Sequence, residues 1–285
     1  MNELVRISEA PSGLQIPKLD KPFKLTMCVT QTCNMDCKLC YADCGASKRP
    51  ELTTEQWKAF IDQLVAEEFL HVFFEGGEPF HRPDFEEILA YCNRRLYVAV
   101  RTHATLIDKA RAQRLRSLGV GRLYVDLFAA IREVHDELTG QPGSFDSAIE
   151  GIKNARAAGI KVTLLGILSR KNFEHLQRYL DLAVELNCDQ VGILRLYLLG
   201  RAKRNWSELS LTLEEMMGAL HSLKVPPGVQ LMQSWHPRDG NCCWQNAAVN
   251  PHGDSIGCPY LREYVNYGNI LEMPFIETWN HPLYL

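Results

Sequence analysis

The stretch TCNMDCKLCY, residues 32–41, sets three cysteines within eight positions: Cys33, Cys37 and Cys40, at C-x3-C-x2-C spacing. It follows KLTMCV (24–29), a short apolar run bounded by polar residues, which predicts a strand. A loop at the C-terminal end of a first strand is where barrel-type folds keep their active sites. A tetrahedral zinc site wants four ligands, usually arriving as cysteine pairs, and no fourth ligand is adjacent here. Three thiolates suit a [4Fe–4S] cube in which one iron is left without a protein ligand. Structural zinc stays open as the bland alternative.

Outward from the loop the chain alternates. LTTEQWKAFIDQLVAEEF (52–69) has helical spacing, with Trp57, Phe60, Ile61, Leu64 and Val65 on one face and Thr53 and Gln56 at capping-box spacing. HVFFEGG (71–77) reads as strand then turn, DFEEILAYCNRR (84–95) as helix, and LYVAVRT (96–102) as strand. IDKARAQRLRSLG (107–119) is a helix ended by Gly119. Strands over 121–128, 161–168 and 190–197 alternate with helices over 146–158 and 173–186. These strand–helix beats predict an α/β fold, an incomplete (β/α)6 TIM-type barrel of parallel strands joined by right-handed crossovers. After a helix at 212–224 the rhythm is lost in VPPGVQLMQSWHPRDGNCCW (225–244). The expected organisation is an N-terminal segment (1–22), a barrel (23–225) and a small cysteine-containing C-terminal unit (226–285).

Lys+Arg 31 against Asp+Glu 34 gives a net charge of −3, so no basic field points to nucleic acid or an anionic membrane. The first twenty residues lack a signal-peptide core, and apolar runs such as VTLLGIL (162–168) are too short to cross a bilayer. A cytoplasmic protein is expected. Its ten cysteines are then read as metal-binding or buried rather than disulfide-forming. Cys28, Cys44, Cys92 and Cys188 read as buried small hydrophobes. Cys33, Cys37, Cys40, Cys242, Cys243 and Cys258 call for chemistry.

On these residues the chain resembles the radical S-adenosylmethionine enzymes, whose signature is C-x3-C-x2-C, over about residues 23–280. FEGGEP (74–79) looks like the family's Gly-Gly-Glu-Pro turn, which implies that Gly76, Gly77 and Glu78 meet the methionine ammonium. RTHATLI (101–107) resembles a Thr-Asn-Gly-Thr-Leu segment in which His103 and Ala104 replace Asn and Gly. HDELTGQPGSFDSAIEGI (135–152) and LLGRA (198–202) resemble later segments. The resemblance implies a [4Fe–4S] cluster on Cys33, Cys37 and Cys40, with S-adenosylmethionine on the open iron.

The departures are specific. Leu39 stands where an aromatic residue usually packs on adenine. Asp126 stands at a ribose or carboxylate contact, where it accepts from ribose hydroxyls but repels a methionine carboxylate. Thr139 replaces an Arg, and Arg170 is the candidate substitute, with a solvated surface charge as its alternative. CWQNAAVNPHGDSIGC (243–258) resembles the opening half of a SPASM motif, and YGNILEMPFIETWN (267–280) its tail. No cysteine follows Cys258, so a shortened twitch-like unit is expected, with Cys243 and Cys258 as auxiliary-cluster ligands and Cys242 as a candidate third. His236 is one candidate for a fourth. His71, His81 and His135 show no metal-like pairing.

The expected activity is reductive cleavage of S-adenosylmethionine to a 5′-deoxyadenosyl radical that takes a hydrogen atom from the substrate. A small-molecule substrate is favoured, a sugar, aminocyclitol or nucleoside intermediate of a biosynthetic pathway, because the first twenty residues cannot hold a peptide-recognition domain. The alternatives are a maturase of a ribosomally made peptide and a non-catalytic zinc or iron–sulfur protein. Expected partners are the substrate and a reductant such as flavodoxin or ferredoxin, with no nucleic acid and no membrane.

Overall fold

The computed structural model describes residues 19–232 and 246–284, apart from positions 23, 48, 94 and 263. Cys242, Cys243 and His236 lie outside the described residues, as does most of the expected N-terminal segment.

Six parallel strands pair in sequence order: β1 (Lys24–Cys28), β2 (His71–Glu75), β3 (Tyr97–Thr102), β4 (Arg122–Asp126), β5 (Lys161–Leu168) and β6 (Gln190–Arg195). Helices α1 (Thr54–Ala66), α2 (Phe85–Cys92), α3 (Lys109–Ser117), α4 (Arg132–Thr139), α5 (Ser144–Ala157) and α6 (Leu176–Glu185) connect them. Strands buried on both faces read as continuous apolar runs, and in β5 every residue after Lys161 is buried. The outward side chains of the sheet and the inward stripes of the helices form one core; Trp57, Phe60, Ile61 and Leu64 of α1 belong to it. The capping box at Thr53 and Gln56 is formed in both directions.

The sheet is two strands wider than the alternation predicts. After α7 (Gly200–Arg204), α8 (Trp206–Leu209) and α9 (Leu213–His221), β7 (Gln230–Met232) pairs with β6, and β8 (Asn246–Val249) pairs with β1. The order is β7-β6-β5-β4-β3-β2-β1-β8, an open parallel sheet rather than a closed barrel. Runs of three and four residues are too short to show a period. Residues beyond 225 therefore supply both edges of the barrel sheet. The tail also docks on the first β/α unit: Phe275, on α10 (Phe275–Trp279), meets Phe60 edge-on with ring centres 5.7 Å apart.

Helix α4 is a second departure, since only one helix was expected between β4 and β5. Its Asp136 side chain accepts from the Gly143 and Phe145 N–H groups at 2.7 and 2.8 Å, which caps the start of α5 from outside that helix. Because all eight strands are parallel, their C-terminal ends share one mouth, and the cysteine loop lies there.

Candidate active site

The loop after β1 is held from several sides. The N–H groups of Asp36 and Lys38 donate to the carbonyls of Thr139 and Leu138 at the end of α4, at 3.2 and 2.8 Å. From α7, which follows the sixth strand, Arg201 Nε donates to the Cys37 carbonyl at 3.0 Å and Nη1 to the Cys44 carbonyl at 2.6 Å. The Arg201 N–H also reaches the Cys40 carbonyl at 2.9 Å. A Cβ on Gly200 would stand 2.6 Å from that same carbonyl oxygen, so only glycine lets the segment approach this closely. The LLGRA segment thus clamps the cysteine loop.

The turn after β2 locks in from the other side. The Gly77 and Glu78 N–H groups donate to the carbonyls of Thr30 and Thr32 at 2.7 and 2.9 Å. A Cβ on Gly77 would meet the Thr32 carbonyl oxygen at 2.0 Å. Cys33, Cys37 and Cys40 consequently line one cavity together with Gly76, Gly77 and Glu78. Burial pushes the Cys33 thiol up to about 12 and the Cys37 thiol well above its ordinary value. Hydrogen bonding from the Cys44 side chain, against burial, brings Cys40 down to about 6.

Glu78 is fully buried. Its Oε1 accepts from the Phe80 N–H at 3.0 Å and the Thr102 hydroxyl at 2.7 Å, and its Oε2 accepts from the His103 N–H at 2.9 Å. His103 Nδ1 accepts the Thr105 N–H at 3.2 Å, so Nε2 bears the hydrogen. That nitrogen lies 2.9 Å from Asn34 Oδ1 and 3.2 Å from Glu78 Oε2, joining the cysteine loop to the glycine turn. Ala104, where the family motif has glycine, adopts φ 62°, a left-handed conformation that costs a non-glycine residue roughly 1 kcal/mol.

Asp126 lines the same cavity and takes a two-pronged ion pair from Arg101, with contacts of 2.9–3.1 Å. Burial pushes its carboxyl up, and Arg101 opposes that shift. The guanidinium offsets the repulsion that Asp126 alone would exert on a carboxylate ligand. Phe128 and Ile167 provide an apolar wall, against which Leu39 packs.

Arg170 does not join this group. Its guanidinium pairs with Glu215 at 2.8 Å on the exposed side of α9 and is absent from the cavity. Thr139 turns its hydroxyl to Ser144 at 2.7 Å and closes the α4–α5 turn. Cys258 precedes a short 3-10 turn, and the chain reverses near Gly253, where Val249 is bridged antiparallel to Ser255. The groups that sequence reasoning passed over are Arg101 and Arg201. Arg201 sits inside the LLGRA stretch and Arg101 opens the RTHATLI stretch, but neither shows its partners until the chain folds.

Residues 27–183 match the family model described as the Radical SAM superfamily. The chain is 29% identical to Fe-coproporphyrin III synthase of Methanosarcina barkeri, across 93% of this chain and 75% of that protein. It is 30% identical to mycofactocin maturase MftC of Mycobacterium tuberculosis, across 92% of this chain and 71% of the relative. Among solved structures, Streptococcus suis SuiB bound to S-adenosylmethionine superposes with a TM-score of 0.76 at 17% identity. That alignment covers 94% of this chain and 68% of SuiB, and it speaks for the fold.

Proposed function

The chain belongs to the radical SAM superfamily, whose enzymes use a [4Fe–4S] cluster and S-adenosylmethionine, and from that premise we propose that Cys33, Cys37 and Cys40 hold the cluster and that the substrate is a peptide. The observation that carries the cluster assignment is the convergence of the three thiols and the Gly76–Glu78 turn on one cavity. Three soft thiol donors on one loop match the ligand set such a cube requires. When bound, the cluster and cofactor supply one-electron cleavage of the sulfonium to methionine and a hydrogen-abstracting 5′-deoxyadenosyl radical.

The chain's own residues bind, orient and exclude water. Glu78 sets a buried negative charge beside the Gly76–Gly77 backbone for the methionine ammonium. Asp126 takes the ribose hydroxyls while Arg101 balances its charge. Leu39, Phe128 and Ile167 keep the wall apolar and exclude water from the cavity. The electron comes from a reductant of the flavodoxin or ferredoxin type. Cys258 with Cys243, and Cys242 as a candidate third ligand, would hold an auxiliary iron–sulfur cluster.

The peptide reading, the alternative at the outset, is supported by the identity to mycofactocin maturase. The small-molecule preference rested on the shortness of the chain before β1. That length decides nothing, because a recognition element can sit on another polypeptide. A second reading, a reaction that forms an iron porphyrin, is supported by the identity to Fe-coproporphyrin III synthase. The zinc-protein reading falls with membership in an enzyme superfamily. The test is anaerobic incubation with S-adenosylmethionine and dithionite, adding either short peptides encoded beside the gene or an iron porphyrin-type precursor of Fe-coproporphyrin III. Peptide-dependent 5′-deoxyadenosine with a mass change in the peptide is expected. Stimulation by the porphyrin alone would reject the peptide.

A further inference from the structure

The chain after Cys258 enters the mouth of the barrel. Tyr260 lies between Tyr41 and Tyr197, with ring centres 4.5 and 4.3 Å away. Two residues on, the Arg262 side chain is only 6% exposed. Its Nη1 donates to Gln31 Oε1 at 3.1 Å, and its Nη2 donates to the Tyr41 hydroxyl oxygen at 3.3 Å. Nη2 also lies 3.6 Å from Cys28 Sγ and 3.7 Å from Glu75 Oε1, and Nη1 lies 3.9 Å from Cys44 Sγ.

Gln31 precedes Cys33 by two residues and Tyr41 follows Cys40 directly, so one guanidinium grips both ends of the cysteine loop. Each end passes the grip on. Gln31 Nε2 donates to the Ala42 carbonyl at 2.9 Å, and the Gln31 carbonyl accepts the Gly45 N–H at 3.0 Å. The Tyr41 hydroxyl donates to Glu75 at 2.7 Å. Arg262 also balances charge in the lumen, where Arg101 and Arg262 stand against Glu75 and Asp126. Removing it would leave Glu75 with Arg101, 3.8 Å away, as the remaining cation.

We propose that Arg262 is a positioning residue for the cluster loop, through which the C-terminal segment holds the two ends of that loop and places positive charge beside it. The proposal rests on Cys33, Cys37 and Cys40 being the cluster ligands. Two separable effects follow. The hydrogen bonds to Gln31 and Tyr41 fix loop geometry and hence retention of iron. The charge favours the reduced, more negative form of the cluster and hence raises its potential.

The test compares wild type, Arg262→Met, Arg262→Lys and Gln31→Ala after anaerobic reconstitution, with circular dichroism as the check on folding. The readouts are the rate of iron release to a chelator and the midpoint potential followed by electron paramagnetic resonance. Arg262→Met is expected to release iron roughly tenfold faster and to shift the potential negative. Arg262→Lys, which keeps the charge but not the fork, should hold the potential near wild type and still release iron faster. Gln31→Ala should release iron faster with an unchanged potential. Wild-type release and potential in Arg262→Met overturns the proposal. If that variant does not fold, wild-type release in both Arg262→Lys and Gln31→Ala overturns it instead. A variant with Cys33, Cys37 and Cys40 all changed to Ala that still holds a [4Fe–4S] cluster would reject the ligand assignment itself, whatever Arg262 does.

Discussion

The Glu78 carboxylate accepts the His103 N–H at 2.9 Å, so the turns after β2 and β3 share one buried negative charge. Glu78 therefore orders the protein around the cavity proposed for the cofactor as well as facing it. Glu78→Gln keeps the shape but removes the charge, and it turns a donor toward groups that already donate. A hydrogen bond to a charged group contributes about 1.5–3 kcal/mol, so affinity for S-adenosylmethionine should fall roughly ten- to a hundredfold. Isothermal titration on the reconstituted protein measures this. Undiminished affinity would make Glu78 a purely structural residue.

Gly77→Ala should be far more damaging than an exposed Gly→Ala change. The added carbon would lie 2.0 Å from the Thr32 backbone oxygen, and neither partner is a flexible side-chain end. The loop carrying Cys33 has to move for the methyl group to fit. Reconstituted iron and 5′-deoxyadenosine formation should both drop at least about tenfold, the scale of a lost ångström in site geometry. Normal iron content with normal cleavage would show that the turn and the loop separate freely.

His135 makes stability depend on pH. It is 1% exposed, and its Nδ1 accepts the Phe128 N–H at 3.1 Å, beside the apolar wall of the site. Burial lowers its pKa from 6.5 to about 4. Between those values the unfolded chain takes up a proton that the folded protein refuses. The contribution is therefore complete above about pH 6.5 and is lost as pH falls toward 4, by on the order of 3 kcal/mol. His135→Asn retains an acceptor for Phe128 without the titration. Urea unfolding at pH 7.5 and 4.5 should show a smaller difference in that variant, and an equal difference would assign the pH dependence elsewhere.

Arg170→Ala should leave affinity for S-adenosylmethionine within roughly twofold, as is usual for an exposed ion pair remote from a ligand. Its Glu215 partner holds it at 2.8 Å on the outside of the barrel. A tenfold loss in a binding titration would mean that the guanidinium leaves Glu215 and reaches the cavity.

By itself the amino-acid sequence determined the parts of this protein that are local. Buried strands and amphipathic helices announce themselves through periods of a few residues, so β1 to β6 and most of their connecting helices are legible. The proposed cluster ligands Cys33, Cys37 and Cys40 come from one short segment, so their grouping is legible too, as is the turn at Gly76, Gly77 and Glu78 that lines the same cavity. Tertiary structure alone decided the partners of the charges. Arg101 finds Asp126 because the neighbouring strands β3 and β4 end at one mouth, and Glu75 finds Tyr41 because the loop after β1 folds over the end of β2, contacts across twenty-five and thirty-four positions. Arg262 reaches Gln31 across 231 positions because the C-terminal segment folds back over the mouth. β7 and β8, too short to show a period, are strands because β6 and β1 offer them open edges. Arg170 was misplaced for the same reason: its type and its place after a strand suited a carboxylate ligand, but the direction of its side chain was set by Glu215 on a helix forty-five residues away.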